Sequence, residues 1–259
     1  STTLFRSSID AHRALTTARA SAPREVIFEQ RDCHPLMNPK GIRVRESRDS
    51  ETHPESVGVV FALDVTGSMG AIPERLARED LPTLMEQLLA VGVEDPQVIF
   101  MAVGDAMYLA ARHTAMDCWE KRRRRGYFFM TGDENPYPFV SRRQVEGLVG
   151  DALDDDLPVE RIVEELAVTY EPFFLIPDAN RARRCGDRWR ELLGDHVLEL
   201  SSPEDTVHVA AAIVSLCEGR LPGVDAVGEQ LRAAGLSRAR VGGIVSAIAP
   251  FADTWSPAA

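Results

Sequence analysis

The sequence predicts an α/β protein: a doubly wound, mostly parallel sheet flanked by helices. Two observations carry that expectation. Short apolar runs such as Val57–Leu63 (VGVVFAL) are too continuous to leave one face in water and suit central strands covered on both sides. Between such runs lie longer segments with helical spacing of apolar residues, so strands and helices alternate along the chain. In such sheets ligands bind outside the carboxyl ends of the strands, and that is where chemistry is expected.

Residues 1–56 read as an N-terminal extension and linker, with a helix over 7–20, a short strand over 24–30 and a polar linker, ESRDSETHPES, over 46–56. From residue 57 to 218 the alternation runs as one domain. After the first strand, Leu76, Leu81, Leu84, Leu88 and Leu89 mark a helix over 73–91, with Pro73 near its start, where a missing N–H is harmless. A strand over 97–103 follows the Glu-Asp-Pro turn at 94–96, and a single helix is expected over 107–124. Strands are then expected over 127–131, 172–176 and 196–200. Helices are expected over 141–149, 159–170, 180–193 and 203–217, the last beginning near a Ser-Ser-Pro cap. Residues 219–259 read as a C-terminal helical extension, with helices near 223–234 and 237–249.

The chain has 259 residues, with 29 Lys and Arg against 40 Asp and Glu, a formal charge of −11. That balance argues against general attraction to nucleic acid or to an anionic membrane. No apolar run is long enough to span a bilayer, and the N-terminus has no basic flank before an apolar core. The four cysteines, at 33, 118, 185 and 217, form no CxxC, so reduced thiols in a cytoplasmic protein are expected. His113 and Cys118 fit zinc-ligand spacing poorly and read as two positions on a buried helix.

The first strand runs into Asp64-Val65-Thr66-Gly67-Ser68-Met69-Gly70. An Asp followed by hydroxyls two and four residues on places three hard oxygen donors in one turn, and Gly67 lets the backbone fold between them. Such donors suit Mg²⁺, or Mn²⁺ or Ca²⁺, better than zinc. A simpler reading exists, since Asp, Thr and Ser also cap helices, but capping needs one such residue rather than three.

This motif resembles the metal-ion-dependent adhesion site of von Willebrand factor A domains, whose first loop reads Asp-x-Ser/Thr-x-Ser. In that family a later strand ends Thr-Asp-Gly and its Asp approaches the metal. Here the strand over 127–131 ends Thr131-Gly132-Asp133, one residue displaced, so the resemblance implies Asp133 as the fourth ligand beside Asp64, Thr66 and Ser68. A turn-forming Gly-Asp with no ligand role is the competing reading. The family's remaining ligand, a Thr, has no equivalent, because one helix fills the space between residues 105 and 127, where an antiparallel edge strand and two helices belong. The jump into the 107–111 helix lacks turn residues, which suggests a stretch left out just after residues 104–106. Further likeness, in His34-Pro35-Leu36, Arg45-Glu46-Ser47 and ARHTAMDCWE over 111–120, points to a bacterial subgroup of these proteins and covers roughly residues 34–218. The resemblance implies a binding module rather than an enzyme. A partner protein's Asp or Glu would complete the coordination of the cation, and the resemblance also suggests assembly alongside an AAA-type ATPase.

The alternative is a haloacid dehalogenase-like phosphohydrolase with Asp64 as nucleophile. Its general acid would be an Asp two residues later, and Thr66 cannot serve there at neutral pH. The glycines at 67 and 70 do not form GxGxxG. Elsewhere, KRRRR over 121–125 can grip an acidic partner but also suits a solvated helix end, and that second reading is preferred. Asp154 to Asp156 read as a loop, Trp119 and Trp189 as packing residues, and Trp255 as part of a terminal tail.

Overall fold

A computed structural model describes residues 43–101 and 105–255. The expected helix over 7–20 and strand over 24–30 lie outside the described residues, as does Cys33.

Five parallel strands form the central sheet: β2 (Val57–Leu63), β3 (Pro96–Met101), β5 (Gly126–Thr131), β8 (Tyr170–Ile176) and β9 (Val197–Glu199). Their spatial order is β3-β2-β5-β8-β9. From β2 the chain goes outward to β3, then returns across β2 to β5 and continues the other way. The carboxyl ends of β2 and β5 therefore flank the point where the winding reverses, the usual ligand crevice of a doubly wound sheet. The register there is explicit: Leu63 lies opposite Thr131, and the Asp64 N–H reaches the Thr131 carbonyl at 3.1 Å.

The alternation of β side chains divides the core in two. Val59 and Phe61 of β2, Tyr127 and Phe129 of β5, and Phe173 and Leu175 of β8 face one layer. That layer is built from helices α2 (Leu81–Ala90), α8 (Thr206–Cys217), α9 (Val224–Ala233) and α10 (Arg238–Thr254). Phe129, Phe173 and Phe251 continue this core as a run of rings, with neighbouring centroids 5.2 and 5.0 Å apart. The segment over 219–259 thus supplies Ile244, Ile248 and Phe251 to the same core as the sheet. On the other face Val60, Phe128, Phe174 and Ile176 meet α3 (Ala106–Arg112), α6 (Val159–Thr169) and α7 (Ala179–Leu193).

The helix expected over 73–91 is interrupted. It runs as α1 (Ile72–Arg75), a π turn over Leu76–Asp80, and α2. Pro82 has no N–H to return to the carbonyl four residues earlier, and the hydrogen-bond ladder widens in the turn before it.

The helix expected over 107–124 is three elements. After α3 comes a strand, β4 (Thr114–Met116), and then the short α4 (Asp117–Glu120). His113 caps α3 and Cys118 sits beyond the strand, so the two do not share one helix. β4 pairs in parallel with β1 (Arg45–Ser47), inside what reads in the sequence as linker. Two glycines make room for it: a Cβ at Gly58 would lie 2.4 Å from the Met116 sulfur, and one at Gly126 2.7 Å from the Gly58 carbonyl oxygen. At the expected break, α3 starts directly at Ala106 and the Leu109 N–H bonds the Asp105 carbonyl, so the described chain runs on without interruption from residue 105. Residues 102–104 lie outside the described set. A separate antiparallel pair, β6 (Phe139–Val140) with β7 (Leu157–Pro158), borders α5 (Arg142–Leu148).

The KRRRR run is exposed at all but Arg122, as expected of a solvated end, and its cations are also paired. Arg122 binds Asp49 and the Ser56 carbonyl, each at 2.7 Å, Lys121 pairs with Asp49 and Asp117, Arg124 with Glu218, and Arg125 with Glu171. Arg123 stacks over Trp119. Lys121 and Arg122 fasten the segment that follows β1, through Asp49 and Ser56, to the body of the protein. Among the described residues no helix is long and apolar enough to cross a membrane.

Candidate functional site

The loop leaving β2 folds into a 3₁₀ turn over Gly67–Met69, closed by Met69 N–H to the Thr66 carbonyl, with the Met69 side chain buried beneath it. The left-handed backbone conformation falls at Gly70, with φ of 60°, and not at Gly67. Within the turn, Asp64 Oδ1 accepts the Thr66 N–H at 2.8 Å, and Thr66 Oγ1 lies 2.9 Å from Ser68 Oγ. Ser68 Oγ donates to Asp133 Oδ1 at 2.7 Å. A hydroxyl has one proton, so Thr66 is the donor to Ser68, and the Thr and Ser oxygens keep acceptor lone pairs.

All four residues singled out from the sequence therefore stand in one hydrogen-bonded chain across the β2 and β5 loops. The one-residue displacement of the Gly-Asp does not carry Asp133 away from Ser68. Gly132 occupies the intervening position where space is tight: an added Cβ would sit 3.1 Å from the Phe174 ring and 3.4 Å from Asp64 Oδ2.

The sequence reading missed the cationic side of the site. Asp133 is fully buried, and its Oδ2 accepts from Arg181 Nε at 3.1 Å, with the half-exposed Arg184 guanidinium at 3.5 Å. Arg181 also donates to the Ser68 carbonyl at 3.0 Å and to Asp178 Oδ2 at 2.5 Å. Asp178 caps α7 through the Asn180 and Arg181 N–H groups. Burial pushes the Asp178 carboxyl up, but the bonds from Arg181 and Asn180 outweigh it and hold the group below its ordinary range. Burial likewise opposes the charge on Arg181, and its pairing with Asp178 and Asp133 outweighs that and raises it. Trp189 completes the floor: its Nε1 donates to the Glu134 carbonyl at 2.9 Å while its ring stacks on Phe174 at 4.0 Å. Only Asp178, just ahead of the helix and separated by one residue from the end of β8, carries a sequence signal, as an N-cap. Arg181 is one of five arginines in α7, and nothing local distinguishes it.

Among the described residues no group of three or more His, Cys, Asp and Glu side chains gathers as a metal cluster. The donor set here is of a different kind, one free carboxylate and two hydroxyls. Asp64 Oδ2 receives no hydrogen bond among the described residues, in contrast to Oδ1. A hard divalent cation fits this chemistry; zinc, which prefers nitrogen and sulfur, does not.

No protein-family model matches the chain, and comparisons with curated proteins and with solved structures find no match either.

Proposed function

We propose that this chain is a divalent-metal-dependent protein-binding module of the von Willebrand factor A type, with Asp64, Thr66 and Ser68 as the residues that hold the ion and Asp133 as the buried carboxylate that fixes Ser68 beside them. The observation that carries the reading is the continuous hydrogen-bonded chain from Asp64 to Asp133, located where the winding of the sheet reverses. A bound Mg²⁺ would offer a coordination position to an Asp or Glu of a partner protein. Asp64 presents a carboxylate oxygen, Thr66 and Ser68 present hydroxyl lone pairs, and Asp133 orients Ser68 by accepting its hydrogen bond. With its charge offset by Arg181 and Arg184, Asp133 leaves the donor set only weakly anionic, which favours accepting an acid from outside.

The resemblance to a bacterial subgroup supports a cytoplasmic protein acting alongside an AAA-type ATPase, as a binding module without catalysis of its own. The reading is tested by capture from lysate in Mg²⁺ and in EDTA. Metal-dependent retention of a partner supports it, and identical captured sets under both conditions remove it.

A further inference from the structure

The three loops that meet at the site are joined by one side chain. Arg181 Nε binds Asp133 of the β5 loop, Nη2 binds the Ser68 carbonyl of the β2 loop, and Nη1 binds Asp178 of the β8 loop. The Arg181 side chain is 22% exposed and the Asp133 side chain 0%, so the Asp133 end of the contact is shielded from water. Each bond uses a different nitrogen of one planar group, which fixes the three acceptors relative to one another.

We propose that Arg181 is the positioning residue that assembles this site before any ligand arrives. By occupying Asp133 Oδ2 it directs Oδ1 toward Ser68, and by holding the Ser68 carbonyl it fixes the turn that presents Thr66 and Ser68. The loops are then ordered by an internal cation, and a metal enters a formed site instead of organising a loose one. The part of this claim that concerns metal affinity rests on the metal-binding reading above; the ordering of the loops does not.

Arg181→Lys separates geometry from charge, because lysine keeps the cation and loses the fork. The experiment compares wild type, Arg181→Lys and the control Arg183→Lys, an exposed arginine on the same helix. Amide hydrogen exchange over residues 64–70 and 132–134 is measured in EDTA, and Mg²⁺ titration calorimetry follows. Arg181→Lys is expected to speed exchange in both segments while leaving the strands protected, and to weaken Mg²⁺ binding about ten- to a hundredfold. Arg183→Lys should match wild type in both readouts. Placed in an Asp133→Asn background, Arg181→Lys should add little further effect on exchange at 132–134, where the two residues act as a unit, while its effect at 64–70, carried directly by the bond to the Ser68 carbonyl, should persist. Unchanged exchange in Arg181→Lys overturns the proposal. Faster exchange in a protein whose wild type binds no Mg²⁺ leaves the clamp standing and removes the metal reading instead.

Discussion

Ser68 and Asp133, 65 residues apart in the chain, share a hydrogen bond of 2.7 Å that joins the loop after β2 to the loop after β5. It lies at the carboxyl edge of two neighbouring parallel strands, and Asp133 is buried while Ser68 is partly open to solvent. This bond makes one site of two short motifs.

Gly132 is expected to tolerate no side chain. In Gly132→Ala the new methyl meets the Phe174 ring, itself stacked on Trp189, and crowds Asp64 Oδ2. A loss of about 1–3 kcal/mol in urea unfolding is expected, together with weaker Mg²⁺ binding. Unfolding and binding indistinguishable from wild type would show that the loop has room to spare.

How much of this was legible in the sequence depends on the range of the interactions. The strand Val57–Leu63 was readable to the residue, because a continuous apolar run has few other solutions in a soluble chain. Three of the four candidate residues were readable together, because Asp64, Thr66 and Ser68 are local. Asp133 was nominated through the resemblance, and its placement beside Ser68 depends on the parallel register of β2 and β5. The short β4 was not readable, since ARHTAMDCWE keeps helical spacing and only pairing with β1 pulls Thr114–Met116 straight. The role of KRRRR was hidden for the same reason, its partners lying at Asp49, Glu171 and Glu218.

That basic run yields its own expectation. Arg122→Ala removes the donor to both Asp49 and the Ser56 carbonyl and should destabilise the protein by about 2 kcal/mol. The effect should depend on pH. Arg122 holds the Asp49 carboxyl well below its ordinary range, against the opposing effect of burial. The stabilisation is thus fully present above the unfolded carboxylate range and is lost as the pH falls through the depressed folded value. The gap between wild type and variant should therefore narrow in acid, with the part due to the Ser56 carbonyl persisting, as read by thermal melts at pH 7 and pH 2. A constant gap between them would contradict the assignment.

Asp80 has the opposite sign. Burial pushes its carboxyl up to about 6, against the opposing pull of Arg75, whose Nε lies 3.5 Å from Oδ2. The folded protein therefore binds this proton more tightly than the unfolded chain, and stability from this group is lost as the pH rises from about 4 through 6. Asp80→Asn should stabilise at pH 7 by on the order of 2 kcal/mol relative to its effect at pH 4. Equal effects at both values would place the folded carboxyl in its ordinary range.

A phosphohydrolase would need a general acid where Thr66 stands. Assays over a broad panel of phosphate esters should remain at background, and turnover that disappears in Asp64→Asn would reverse the choice between binding module and enzyme.

The central claim is that Asp64 holds a divalent cation, and Mg²⁺ titration calorimetry on wild type and Asp64→Ala tests it most directly. Saturable one-site binding by wild type, abolished in a variant with an unchanged circular dichroism spectrum, is the predicted result. Equal Mg²⁺ affinity in the two proteins, or no binding by wild type, would contradict it.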